Sequence, residues 1–127
     1  MVHIMRRNGK SNYSILLLNM GGPNTISDIQ PFLYNLFSDK DIIQFPIPSL
    51  QTSFAWLMSR LRAPKVAKHY KKIGGGSPIL NITLKQAAAL EKELKKSIRC
   101  RVYIGMRYTE PSIYTAMKDI LKKKSQN

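Results

Sequence analysis

This sequence predicts an α/β fold with a partial parallel sheet, two strands with flanking helices. Two observations predict the strands. Ile15-Leu16-Leu17-Leu18 is a continuous apolar run of strand length, the pattern of a strand buried on both faces. Arg101 to Met106 (RVYIGM) is a second run of the same kind. The third observation is that the stretches between and after them carry apolar residues at helical spacing. Helices between two strands of one sheet imply parallel pairing. Two parallel strands alone leave too little cover for a stable sheet, so the sequence reads as the front part of a larger α/β domain.

The elements follow in the order β, α, α, α, β, α. Tyr13 to Asn19 is the first strand, and Met20-Gly21-Gly22-Pro23-Asn24 ends it with turn residues. A helix is expected from Ser27, with Gln30 as its capping-box partner and Ile29, Phe32, Leu33, Leu36 and Phe37 on one face. Pro31 must lie in its first turn. Asp41 to Pro48 is extended. Ser49 to Arg62 is a helix whose Phe54, Trp56, Leu57 and Met58 suit an interfacial helix as well as a core one. Pro64 is expected to restart the chain into a short basic helix, Lys65 to Ile73. The Gly74-Gly75-Gly76-Ser77-Pro78 loop lets the backbone pass close to a ligand or to another chain segment. Asn81 or Thr83 would then cap a helix to about Ser97, and the second strand is followed by a helix from Pro111 to Lys124.

Composition limits the function. The 127 residues make one small domain, and no apolar stretch approaches the ~18 residues that cross a bilayer. A single cysteine, Cys100, excludes an internal disulfide framework and a cysteine-rich metal site, and points to a reducing compartment. With 21 Lys+Arg against 7 Asp+Glu the net charge is +14, which favours anionic partners. Arg60, Arg62, Lys65, Lys68, Lys71 and Lys72 form an acid-free run, and Lys122-Lys123-Lys124 a second. No nucleic-acid recognition motif accompanies them, so no specific nucleic acid is expected. Residues 1–12 read as a basic tail or short presequence, and 13–127 as the folded domain.

In open α/β sheets ligands lie beyond the carboxyl ends of the strands. Three segments are candidates for that place: the Met20 to Asn24 loop, the triglycine loop, and Arg107-Tyr108. Arg62 and Tyr70 add a second guanidinium and phenol. Together they suit a flat, anionic, aromatic ligand better than a chemical step. Neither GxxxxGK[ST] nor GxGxxG is present, the acids form no evident proton-transfer pair, and His69 reads as a surface residue. Glu91 and Lys95 read as a helix-surface pair, and Cys100 as a packed thiol.

Four segments in order, ILLLNMGGP (15–23), FLYNLFSDKDI (32–42), APKVAKHYKKIGGGSPI (63–79) and YIGMRYTEP (103–111), closely resemble the amino-terminal part of ferrochelatase. The resemblance runs over roughly residues 13–121. It implies a chelatase-like, Rossmann-like domain and a reaction that inserts ferrous iron into protoporphyrin IX in haem biosynthesis. By position it implies porphyrin contacts at Met20, Arg62, Tyr70, Ser77, Arg107 and Tyr108, with Arg62 on a propionate. It also implies an apolar lip of Leu33, Leu36 and Ile42 against an anionic membrane surface. The family's catalytic histidine and acidic partners lie in its carboxyl-terminal part, so no catalytic residue and no metal ligand is assigned here. The expectation is a truncated chain, inactive alone. Iron–sulfur ligands of some members would also lie downstream, and no resident cofactor is assigned. A homodimer of the full-length protein and a place on the matrix side of the mitochondrial inner membrane are further expectations. The alternative compartment is the cytoplasm of a bacterium, with membrane association. Two alternative functions are a non-enzymatic porphyrin or haem binder and a basic membrane-surface module.

Overall fold

In chain order the elements are β1 (Val2–Met5), β2 (Asn12–Asn19), α1 (Ile29–Ser38), α2 (Gln51–Lys71), α3 (Ile79–Leu94), β3 (Arg99–Met106) and α4 (Ile113–Ser125). They come from a computed structural model that describes residues 2–5 and 12–125. The chain divides into two units, residues 1–21 with 79–127, and residues 22–78.

The first unit is the α/β unit. Strands β2 and β3 pair in parallel, with Asn12 opposite Arg99 and Asn19 opposite Met106. Side chains alternate across a strand, so each face of the pair needs its own cover. On one face Ala116 and Ile120 of α4 pack on Leu16, with Leu18 and Tyr103 beside them. On the other, Ala87 and Leu80 of α3 pack on Leu17, Val102, Ile104 and Met106. The expected parallel pair with flanking helices is thus present. The sheet also has a strand that the sequence reading did not anticipate. β1 pairs antiparallel with β2, Val2 opposite Leu17 and Met5 opposite Ser14, which gives the order β1-β2-β3. Residues 2–5 of the expected tail are therefore strand. The remaining residues of that tail that lie outside the described set are 1 and 6–11.

Helix α4 starts on Ser112, whose Oγ accepts the Thr115 backbone N–H at 3.1 Å, and not at Pro111. Helix α3 starts directly after Pro78. Asn81 and Thr83 lie inside it, contrary to their expected role as caps, because the helix is already under way at Ile79. The Glu91–Lys95 ion pair forms as expected. Glu91 also reaches β3, where its Oε2 accepts the Val102 N–H at 2.7 Å.

The second unit is a helical hairpin. Ile29, Leu33 and Phe37 of α1 pack against Ala55 of α2, all nearly or fully buried. At the start of α1 the pairing expected of Ser27 and Gln30 is made instead by Thr25 and Asp28. The Asp28 carboxylate accepts the Thr25 N–H at 2.8 Å, and a short 3-10 turn, Ile26–Asp28, leads in. Gln30 is used elsewhere: its Nε2 donates to the buried Ser59 Oγ at 3.0 Å across the hairpin. Pro31 lies in the first turn, as required.

Pro64 does not restart the chain. α2 runs through it as one helix of 21 residues. A proline inside a helix lacks the N–H for the carbonyl four residues back, here Arg60, and that loss is outweighed by packing of Ala63, Val66, Ala67 and Tyr70 against the α1 cluster. The buried stripe of α2 is Gln51, Ala55 and Ser59, whereas Trp56, Leu57 and Leu61 are 50%, 49% and 65% exposed. The core reading describes the face of this helix that carries Gln51, Ala55 and Ser59.

Candidate functional site

In the α/β unit the candidate residues stand where parallel strands end. Met20 follows β2 and Arg107-Tyr108 follows β3, and the register places the two exits side by side. The ladder continues past the strands: the Arg107 N–H donates to the Asn19 carbonyl at 2.9 Å, and the Tyr108 N–H to the Met20 carbonyl at 3.1 Å. Met20 is half exposed and Arg107 is exposed, while Tyr108 is buried. The Arg107 guanidinium carbon lies 5.6 Å from the centre of the Tyr108 ring, within cation–π range. This end of the sheet presents a thioether and a guanidinium, with a phenol beneath them.

Sequence reasoning missed the residue that fixes this end. The Asn19 Oδ1 accepts the Met20 N–H at 2.8 Å, and its Nδ2 donates to the Thr83 Oγ1 at 3.4 Å. The available signal was an asparagine closing a buried apolar strand directly before a glycine loop. On the β3 side, Glu110 accepts the Ser112 N–H at 2.7 Å and the Thr115 hydroxyl at 3.1 Å. The Ser112 N–H is the main reason its carboxyl is held below the usual glutamate range. Glu91 is likewise lowered, first by Lys95 and then by the Val102 N–H. Burial raises the Cys100 thiol, as befits a packed side chain.

In the helical unit, Arg62 is exposed on α2, with its guanidinium carbon 5.9 Å from the Phe37 ring centre. Tyr70 is half-buried against the α1–α2 core. The Ser77 N–H donates to the Pro23 carbonyl at 2.7 Å, which ties the triglycine loop to the Gly22–Asn24 segment. Of the expected lip, Ile42 is 54% exposed and Leu36 is half-buried. Leu33, the third residue expected in the lip, is 7% exposed and lies on the α1 face that α2 covers. His69 is exposed, in line with its reading as a surface residue. A groove of about 520 Å³ is lined by Tyr34, Thr52, Ser53, Trp56 and Leu57, and Arg60 stacks 4.3 Å from the centre of the Trp56 ring.

The triglycine loop resolves into two jobs. Gly74 and Gly75 have φ of 101° and 90°, and the Gly75 N–H donates to the Tyr70 carbonyl at 2.8 Å, which closes the last turn of α2. At Gly76 the backbone passes so near the Asn24 carbonyl that a Cβ would stand 2.1 Å from its oxygen. Close approach to another chain segment, one of the two readings for this loop, is thus present. Among the described residues no cluster of three or more His, Cys, Asp or Glu could hold a metal ion, and no helix is long and apolar enough to cross a membrane.

Parallel strands covered on both faces, with polar and aromatic residues gathered at their carboxyl ends, define an α/β protein of the open-sheet class, in which ligands lie beyond the strand ends. The comparisons make this particular. A ferrochelatase family model matches residues 12–127. The chain is 50% identical over 111 residues to the ferrochelatase of a Synechococcus species, covering 87% of this chain and 33% of that protein. It is 50% identical over 107 residues to the ferrochelatase of Gloeobacter violaceus, covering 84% and 33%. The match to the ferrochelatase of a Synechocystis species is also 50% over 107 residues, covering 84% and 28%. The chain belongs to the ferrochelatase family, and it spans about a third of the length of these curated relatives, which are cyanobacterial.

Proposed function

We propose that this chain supplies porphyrin-contacting residues of a ferrochelatase, whose reaction inserts ferrous iron into protoporphyrin IX and releases the two pyrrole protons. The observation that carries this reading is the backbone pairing that sets Met20 beside Arg107-Tyr108 at the carboxyl ends of β2 and β3, in a chain of this family. A porphyrin is a flat apolar ring with two carboxylates. A thioether packs on its face, a guanidinium pairs with a propionate, and the buried Tyr108 phenol supports Arg107 from beneath. Arg62, Tyr70 and Ser77 are further proposed contacts, with Arg62 on a propionate. Pyrrole deprotonation needs a base beside the ring. No residue of this chain is proposed for that step, so the chain alone binds porphyrin and does not metallate it.

The test is a titration of the 127-residue protein with protoporphyrin IX, followed by its Soret absorbance. A saturable shift is expected, weakened about tenfold by Met20→Ala, Arg62→Ala or Arg107→Ala, with no metalloporphyrin formed on adding ferrous iron. Absence of a saturable shift would sink the reading.

A second reading concerns α2. The exposed Trp56, Leu57 and Leu61, followed by Arg60, Arg62, Lys65 and Lys68, support contact with an anionic membrane surface. Salt-sensitive co-sedimentation with anionic vesicles, lost when Arg62, Lys65 and Lys68 become alanine, is the expected result. The cyanobacterial relatives support a bacterial placement, and the exposed apolar residues of α2 are the support for membrane association there. The basic first residues are the support for a mitochondrial, matrix-side one. Dimerisation belongs to the same reading of the whole enzyme.

A further inference from the structure

We infer that Thr83 is a positioning residue for Met20, acting through Asn19; the inference extends the porphyrin reading to a residue that contacts no porphyrin. Thr83 is 3% exposed on α3, and its hydroxyl donates to the Ile79 carbonyl at 2.7 Å. That donation commits the hydroxyl proton and leaves Oγ1 as an acceptor for the Asn19 Nδ2 at 3.4 Å. A carboxamide can be turned end for end, and the two orientations differ only in their partners. With Thr83 accepting, the Asn19 amide nitrogen faces α3 and its oxygen faces the chain, where it accepts the Met20 N–H at 2.8 Å. The peptide on either side is held as well. The Asn19 carbonyl takes the Arg107 N–H and the Met20 carbonyl takes the Tyr108 N–H. Met20 thus leaves β2 with its backbone pinned at both polar groups, while its half-exposed side chain remains the free part. Three successive hydrogen bonds, Thr83 to Ile79, Asn19 to Thr83 and Met20 to Asn19, transmit the position of α3 to the thioether. Remove the acceptor at Thr83, and the Asn19 amide loses the partner that selects its orientation.

The experiment uses the 127-residue protein with ¹³C-methyl methionine, the Met20 resonance being assigned by its loss in Met20→Leu. It compares Thr83→Val, which keeps the shape and removes the hydroxyl, with Thr83→Ser, which keeps the hydroxyl and removes the methyl. Thr83→Val is expected to shift the Met20 methyl resonance in the ligand-free protein and to weaken protoporphyrin IX binding about fivefold, the effect of one hydrogen bond. Thr83→Ser should restore both towards the parent values. Asn19→Ala should move the same resonance, and Asn19→Ala with Thr83→Val should be no weaker than Asn19→Ala alone, since the two act in series. If Thr83→Val folds poorly, the contrast of Asn19→Ala, which should move the Met20 resonance, with Thr83→Ser, which should not, carries the test. An unchanged Met20 resonance in Thr83→Val, equal losses in the valine and serine variants, or additive losses in the double variant would overturn the inference. If the parent protein binds no protoporphyrin IX, the porphyrin reading fails separately, and the Met20 resonance still decides whether Thr83 positions it.

Discussion

At Gly76 an added methyl would stand 2.1 Å from the Asn24 carbonyl oxygen, and the obstacle is backbone, which no rotamer change relieves. Gly74 differs: nothing lies within 4 Å of its built Cβ, and only its φ of 101° resists a side chain. Gly76→Ala should therefore destabilise the helical unit by about 3 kcal/mol, at the upper end of overpacking costs. Gly74→Ala should cost about 1 kcal/mol, a left-handed penalty alone. Thermal unfolding of the two variants ranks them, and equal losses would contradict this division of labour. Glu110 sets a pH dependence. Its folded pKa is depressed, chiefly by the Ser112 N–H, so its contribution is complete above the ordinary glutamate value of 4.5 and disappears as pH falls through the lower folded value. Glu110→Gln should flatten that part of the acid unfolding profile, read as the change in thermal midpoint with pH. At this scale the sequence was informative about kind more than cause. Met20, Arg107 and Tyr108 were singled out as candidates because they follow apolar strands. Asn19 and Thr83 were not, because their role depends on α3 lying against the end of β2, a contact 64 residues apart that no local pattern encodes.

Helix α2 shows where local rules give way to packing. Pro64 predicts a break, since an interior proline costs about 3 kcal/mol. The helix nevertheless continues, because residues on both sides of Pro64 pack on the same α1 cluster. Pro64→Ala should raise the thermal midpoint of the protein and add helical circular dichroism at 222 nm. A fall in midpoint would mean that the proline is required for the packing itself. The outer edge of β3 faces no strand among the described residues, and Glu91 meets it by accepting the Val102 N–H. Edge strands left open recruit other chains. Glu91→Ala should therefore increase self-association in light scattering, while Glu91→Gln, which keeps an acceptor, should do so less. The strand and helix positions were legible from apolar periodicity, and the ends were not. β1 carries too short a signal in a basic context; the cap at Thr25 sits between Asn24 and Ser27, which have comparable capping propensity, and Pro111, a residue that suits a first helical turn, precedes the cap at Ser112.

For the molecule as a whole, the proposal of an anionic, flat ligand rests on an excess of 14 positive charges, on membership of the ferrochelatase family and on the placement of Met20, Arg107 and Tyr108 after β2 and β3. The family was legible because four motifs keep their order across most of the chain, and the comparisons agree over residues 12–127. The division into an α/β unit and a helical unit was not, because it depends on where distant segments make contact. The measurement that tests the central claim most directly is an amide and methyl chemical-shift map of the 127-residue protein during titration with protoporphyrin IX. The account predicts saturable shifts at Met20, Arg107 and Tyr108, with the α4 lysines Lys122, Lys123 and Lys124 unmoved. Shifts confined to those lysines, or no saturable shift at Met20, would mean that the chain attracts porphyrin by charge alone and that the ends of β2 and β3 are not its site.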